Sequence, residues 1–270
     1  MRMRIAASFL MLALGATVLH AHDLFFRLES FFVSPGATVK VHALNGTFST
    51  SENSVTRDRL RDLTVVSPSG RAAADTALWS AAGDTSVFSL RTTSPGTYLV
   101  GASLRPREIT LEAKDFNKYL ADDGVPDVLE ARRRNGELEK PATERYSKHI
   151  KALIQVGPTR TAGFGAVLGY PAELVPLDNP YVLRRGSTLR VRAMVDGKAV
   201  PNQLVVWGGR FPDERRFQQR SVRTNADGVA RVQLPSSGQY FVKFISMVPW
   251  RGQEKLDYES KWATLTFAVR

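Results

Sequence analysis

The sequence contains no cysteine. This absence excludes disulfides, thiolate metal sites, iron–sulfur clusters, thiol nucleophiles and an acylated lipoprotein cysteine. Histidine is also scarce, with four residues in a chain of 270. Without cysteine, hydrolytic chemistry would need a serine, one of these histidines or a metal ion. The composition therefore removes several classes of enzyme and metalloprotein.

The familiar catalytic motifs are missing as well. The sequence has no GxSxG elbow, no HExxH, no Walker loop and no GxGxxG after a strand. DDGVPD, which starts at Asp122, lacks the ligand spacing of an EF-hand, and NADG, which starts at Asn225, suits a hairpin turn. We therefore expect a protein that is not an enzyme.

Positive charge is in excess but is not concentrated. Lysine and arginine number 37 against 26 acidic residues, which gives a formal net charge of +11 at pH 7. The arginines are scattered, and only residues 132–134 form a run of three. A solvated basic surface explains this pattern better than a nucleic-acid interface. We expect no nucleic-acid partner.

The first 21 residues have the pattern of a secretory signal peptide. Arg2 and Arg4 precede an apolar stretch of about fifteen residues, which is shorter than the roughly twenty needed to span a bilayer. Ala21 is the small residue best placed for cleavage, so the mature chain is predicted to start at His22. Because no later apolar run is long enough, we expect a periplasmic or secreted protein with no transmembrane segment in the mature chain.

The mature sequence predicts a mainly β fold. Short alternating runs separated by glycine, proline and serine fill residues 24–103 and recur after residue 174. Two internal repeats link these halves: PGATVKVHALNG with RGSTLRVRAMVDG, and SPGTYLVGAS with SSGQYFVKFIS. We predict an N-terminal β-sandwich over residues 22–105 and a C-terminal β-sandwich over residues 158–270, each Ig-like or transthyretin-like.

Residues 106–157 between the two sandwiches are predicted to form a helical insertion or linker. The segment before Gly124 has apolar residues on one helical face, and residues 126–135 can form a second helix closed by Gly136. A third helix is predicted over residues 141–157, where apolar residues recur at spacings of three to four. These apolar residues are Tyr146, Ile150, Leu153 and Ile154.

His22 is the main candidate metal ligand. If it is the first residue, its free amino group and its ring Nδ1 can chelate one ion together, and both kinds of nitrogen suit Ni, Co, Cu or Zn. The α-amino group is partly deprotonated at neutral pH, so the proton penalty is moderate. The same residue could instead belong to a disordered terminus. The site depends on the position of the cleavage.

His42 is the natural second ligand, because the strand that contains it could pair with the strand that follows His22. Alternation points Val39 and Val41 inward and His42 outward, so a solvent-facing histidine without a ligand role is the alternative. His149 neighbours an apolar stripe and is more typical of a boundary histidine.

Several long motifs in the central and C-terminal parts resemble a bacterial secreted family. They are FNKYLADDGVPDVLEARRRNGE, ERYSKHIKALIQVG, LGYPAELVPLDNPY, RTNADGVARVQLPSSGQY and DYESKWATLTF, and AHD follows the predicted cleavage region. Members of that family have been labelled nickel uptake transporter family proteins or the periplasmic component of a cobalt transport system. The resemblance implies β-sandwich domains, the second similar to transthyretin-like modules, and a membrane or outer-membrane transport component as partner.

Three functions remain open from the sequence. The first is a secreted, non-enzymatic protein that captures divalent nickel or cobalt for uptake. The second is a periplasmic structural or adaptor module that binds a protein or glycan, which the scarcity of histidine favours. The third is a copper oxidase with an amino-terminal histidine brace, which would need a second histidine on the same face.

Overall fold

The computed structural model describes residues 22–270. The signal peptide predicted for residues 1–21 lies outside the described residues. The fold is mainly β, as the sequence predicts, with sheets packed in a sandwich-like manner. Among the described residues, no helix is both long enough and apolar enough to cross a membrane.

The described part of the chain contains nineteen strands, two α-helices and four short 3₁₀ helices. In chain order the strands are β1 Asp23–Leu28, β2 Phe32–Val33, β3 Thr38–Gly46, β4 Ser51–Asn53, β5 Leu60–Ser67, β6 Gly70–Ala73, β7 Ser80–Ala82, β8 Thr85–Arg91, β9 Gly96–Leu104, β10 Arg107–Leu111, β11 Ala142–Val156, β12 Ala172–Pro176, β13 Thr188–Val195, β14 Lys198–Ala199, β15 Leu204–Arg210, β16 Arg220–Arg223, β17 Val229–Gln233, β18 Gly238–Pro249 and β19 Tyr258–Val269. The helices are α1 Ala113–Asp122 and α2 Pro126–Arg134.

The strands form three sheets in layers. The central sheet has the order β16-β15-β18-β19-β11-β9-β5-β6, with β2 and β10 attached to β11. A five-stranded sheet, β1-β3-β8-β7 with β4 on β3, packs on one face of it. A four-stranded sheet made of β12, β13, β14 and β17 packs on the other face. Neighbouring residues of β11 divide between these two cores, Leu153 in one and Ile154 in the other, because successive side chains in a strand point to opposite faces.

The third helix predicted for the insertion is wrong. Residues 142–156 form strand β11, which pairs in parallel with β19 and antiparallel with β9 near the middle of the central sheet. β11 is buried on both faces over residues 147–156, so its apolar residues do not alternate with exposed polar ones. Its apolar residues at positions 146, 150, 153 and 154 instead recur at a spacing that also fits a helix. The first two predicted helices are present as α1 and α2.

The central sheet draws strands from all three predicted segments of the chain. The N-terminal segment supplies β5, β6 and β9, and the segment predicted as a linker supplies β11. The C-terminal segment supplies β15, β18 and β19. The division into two sandwich domains stays a prediction. The segment between them contributes a core strand as well as two helices.

The internal repeats correspond to equivalent local structures. The first pair forms β3 and β13, and the second pair begins β9 and β18. In that second pair the Tyr98 hydroxyl donates to the Ser94 carbonyl at 3.0 Å, and the Tyr240 hydroxyl donates to the Ser236 carbonyl at 2.5 Å. Both rings are buried. Each half therefore contains the arrangement known as a tyrosine corner.

Replacing Tyr98 or Tyr240 with phenylalanine should lower the free energy of unfolding by about 1–2 kcal/mol each, because the ring stays but the hydroxyl is lost. Each hydroxyl donates one hydrogen bond to a backbone carbonyl and accepts another from a backbone amide, that of Thr93 or Ser236. Urea unfolding of each variant measures the change. Tyr258→Phe is the control, since its hydroxyl makes no hydrogen bond within residues 22–270. Equal stability of all three variants would contradict a stabilising role for the two corners.

Candidate metal-binding pocket

A cavity of about 480 Å³ lies at the start of β1, between the β3–β4 connection, helix α1 and the strands β15 and β18. Its size falls in the range of roughly 300–1,000 Å³ that is usual for small-molecule sites. It is lined by His22, Asp23, Phe25, Gly46, Thr47, Phe48, Ser49, Glu52, Asp115, Lys118, Tyr119, Asp122, Asp123, Gly209, Arg216, Phe217, Gln219, Phe241 and Lys243. We call it the His22 pocket.

Strand pairing brings His22 and Glu52 together. β1 pairs with β3 in a register that sets Asp23 opposite Gly46, and β4 pairs with the same end of β3 after an irregularity at Asn45 and Gly46. As a result, the ring Nε2 of His22 lies 2.8 Å from the Glu52 carboxylate. A carboxylate on one ring nitrogen is the usual way in which proteins orient a histidine that binds metal through the other.

A buried ionic cluster lies at the base of the pocket. The ammonium of Lys243 contacts the carboxylates of Asp23 and Asp123, the latter at 3.2 Å. Burial raises the pKa of Asp123 to about 6 against the opposing effect of Lys243. Burial also disfavours the Lys243 ammonium, but the two carboxylates outweigh this and raise its pKa. Oδ1 of Asp23 is buried without a hydrogen-bond partner in the described chain, so this base still has an unused acceptor.

A buried lysine of the central sheet also holds the start of β1 in place. The buried ammonium of Lys148, on β11, donates to the backbone carbonyl of His22 and to the side chain of Asn45. Burial lowers the pKa of Lys148 to about 8. Glu144, on the same strand, is also buried, and burial raises its pKa to about 7. A buried lysine thus holds the backbone of His22 against the central sheet.

Charges inside the His22 pocket are mostly paired. Glu52 contacts His22, Lys118 pairs with Asp122, and Lys243 pairs with two aspartates. Within residues 22–270, Asp115 and Arg216 also line the pocket but have no ion pair there. Five carboxylates against three cationic side chains make the lining acidic in a chain that is basic as a whole.

The structure places His42 away from this pocket. The inward direction of Val39 and Val41 is confirmed, since both are buried, and His42 is half-buried. His42 pairs with Arg27, five residues along from His22, which corresponds to roughly 16 Å at 3.3 Å per residue. Two ligands of one ion must lie within a few ångströms of each other. β1 and β3 pair as expected, but the register does not bring the two histidines together.

His149 is a core residue. Its Nδ1 lies 2.9 Å from the Ser103 hydroxyl and its Nε2 lies 3.1 Å from the Ser147 hydroxyl, so both ring nitrogens are engaged. Burial lowers its pKa to about 3. No group of three or more histidine, aspartate or glutamate side chains suited to a metal ion is found in residues 22–270.

Sequence reasoning found His22 but missed its neighbours. Glu52, Asp123 and Lys243 lie 30 to 221 positions from His22 and meet it only through the fold. One signal was available: Lys148 and Lys243 are charges in strands that also carry large apolar side chains, and burial of an unpaired ammonium in such a strand would be costly. Such lysines indicate buried carboxylate or carbonyl partners.

Comparison with known proteins gives one informative result. Residues 19–247 match the family model described as a domain of unknown function, DUF4198. No curated protein matches the chain. Among solved structures, a marsupial T cell receptor is 12% identical to this chain with a TM-score of 0.21. The match covers 90% of this chain and 73% of the receptor chain.

A trypsin-activated alpha-2-macroglobulin from Escherichia coli is 10% identical to this chain, again with a TM-score of 0.21. That match covers 92% of this chain and 16% of the macroglobulin chain. These two scores carry no argument about the fold or the function. The match to the family model, by contrast, extends over most of the sequence. The chain therefore belongs to the DUF4198 family, defined by a domain of unknown function.

Proposed function

We propose that the protein is a non-enzymatic, periplasmic or secreted binding protein that captures a divalent transition metal ion, nickel or cobalt, in the His22 pocket. The observation that carries this proposal is the contact of 2.8 Å between Nε2 of His22 and the Glu52 carboxylate. This contact occupies Nε2 of His22, whereas an amino-terminal chelate would bind the metal through Nδ1. Nickel and cobalt are chosen because of the resemblance described above.

The chemistry depends on cleavage directly before His22. The new α-amino group and Nδ1 then form a two-nitrogen chelate, and nitrogen donors of this kind suit Ni, Co and Cu. A proton on Nε2 donated to Glu52 keeps the lone pair on Nδ1 and makes the ring more basic. The acidic lining of the pocket further favours a cation. A membrane or outer-membrane transport component would then receive the ion.

The same geometry argues against a copper histidine brace. A brace needs a second imidazole near the first, and the structure places His42 along the strand and His149 in the core. Capture of the ion is the function better supported by the residues around His22.

Isothermal titration of mature protein with Ni²⁺ and Co²⁺ tests the proposal, after intact mass has established that His22 is the first residue. We expect stoichiometric binding that His22→Ala weakens at least about a hundredfold and that Glu52→Gln weakens about tenfold. A chain that retains Ala21 should also bind weakly, because its amino group is displaced.

His42→Ala is the matched control and should bind as the wild type does. If His22→Ala and the chain with Ala21 bind Ni²⁺ as tightly as the mature wild type, the assignment of the site to His22 is wrong.

A further inference from the structure

We infer that the His22 pocket receives the metal as a complex with a small amino-carboxylate chelator, such as an amino acid, instead of as a bare ion. This inference rests on the proposed function and specifies its ligand. Three independent features of the pocket support it: its volume and aromatic lining, its two unpaired charges, and the number of donors that His22 supplies.

The pocket is far larger than a metal ion requires. A volume of about 480 Å³ lies within the range of roughly 300–1,000 Å³ that is usual for pockets holding small organic ligands. Its lining includes Phe25, Phe48 and Phe241, whose rings pack at centroid distances of 5.1 to 5.5 Å. Aromatic carbon offers nothing to a hydrated cation but packs well against the carbon skeleton of an organic ligand.

The unpaired charges match a ligand that carries both signs. Arg216 is the pocket cation with no carboxylate within 4.0 Å in the described chain, while Lys118 and Lys243 are both paired. Asp115 is the corresponding unpaired carboxylate. A guanidinium is the side chain best suited to bind a carboxylate, in a charge-assisted and often bidentate contact. A positively charged metal complex with one carboxylate would satisfy both residues.

The number of donor atoms that nickel requires also favours an amino-carboxylate ligand. Square-planar or tetragonal nickel with nitrogen and oxygen ligands needs roughly four donors, of which His22 supplies two. Within residues 22–270, neither His42 nor His149 lines the pocket, and no cluster of three metal-binding side chains occurs there. A bidentate amino acid provides the two missing donors, one amine and one carboxylate oxygen. The other carboxylate oxygen is then available to Arg216.

Two nickel complexes of matched size test this inference by titration calorimetry on mature protein that starts at His22. Ni²⁺ with one equivalent of glycine carries a carboxylate, whereas Ni²⁺ with one equivalent of ethylenediamine does not. The wild type should bind the glycine complex about tenfold more tightly than the ethylenediamine complex, as expected for one charge-assisted contact. Arg216→Gln should abolish that preference.

Arg215→Gln is the control on the same loop, because Arg215 pairs with Asp213 and does not line the pocket; it should keep the preference. Equal affinity of the wild type for the two complexes, or a preference that Arg216→Gln leaves unchanged, would overturn the inference. Titration with Ni²⁺ alone separates the two proposals. Tight binding of the bare ion without a preference for glycine refutes the inference only, whereas loss of all nickel binding refutes the proposed function too.

Discussion

Replacing Glu173 with leucine should lower the free energy of unfolding by about 3–5 kcal/mol, the cost of leaving a buried charge without its partner. The ammonium of Lys151 and the carboxylate of Glu173 are in contact, and both side chains are at most 3% exposed. Glu173 also accepts hydrogen bonds from the backbone amides of Leu168, Gly169 and Tyr170 at 2.6 to 2.8 Å. The leucine variant loses all of these acceptors at once.

The two partners should not be equivalent. Lys151→Met leaves Glu173 with three backbone donors, so it should cost less than Glu173→Leu. Burial already lowers the pKa of Lys151, so without Glu173 this lysine should give up its proton. The double variant Lys151→Met with Glu173→Gln should regain part of the loss, because no charge is then buried. Guanidinium unfolding followed by tryptophan fluorescence measures all three. A loss below about 1 kcal/mol in Glu173→Leu would contradict this account.

Acid should destabilise the protein through His149. In the folded state burial lowers the pKa of this ring from 6.5 to about 3. The unfolded chain therefore takes up a proton near pH 6.5 while the folded chain does not. The stability due to neutral His149 is complete above that pH and is lost as the pH falls toward 3. Between pH 8 and pH 5 the loss should be about 2 kcal/mol.

The comparison of wild type with His149→Gln isolates this effect. Glutamine is neutral throughout and can still hydrogen-bond to Ser103 and Ser147, so the variant should show a flatter dependence of unfolding free energy on pH. Glu144 contributes a slope of opposite sign to both proteins, since burial raises its pKa to about 7. The difference between the two curves removes that contribution. Parallel curves from pH 8 to pH 5 would rule out His149 as the cause.

Local pattern was enough to predict much of the fold. Alternation in the segment that became β3 placed Val39 and Val41 correctly, and the glycines at positions 124 and 136 do follow α1 and α2. β11 could not be distinguished from a helix, because burial on both of its faces removed the alternation that marks a strand. Whether a strand has one covered face or two is decided by the rest of the chain.

The candidate site was less accessible to sequence reasoning. His22 was found from its position after a predicted cleavage site, but its distance from His42 depends on the register of β1 against β3. The contact of Asp23 with Lys243 joins residues 220 positions apart. No local pattern encodes such a contact. Only the charge of a lysine in an apolar strand suggests that a partner exists.

The position of β19 affects how the chain reaches its folded state. β19 lies between β18 and β11, with Tyr258 opposite Glu144. It therefore joins the strands β15, β16 and β18 to the strands β11, β9, β5 and β6 of the central sheet. Until β19 has been synthesised, the backbone groups along the edge of β11 that β19 covers have no strand to pair with, and such open edges promote aggregation of nascent chains. Contacts of such long sequence separation also slow folding. Holdase chaperones should therefore raise the yield of this protein in refolding and expression.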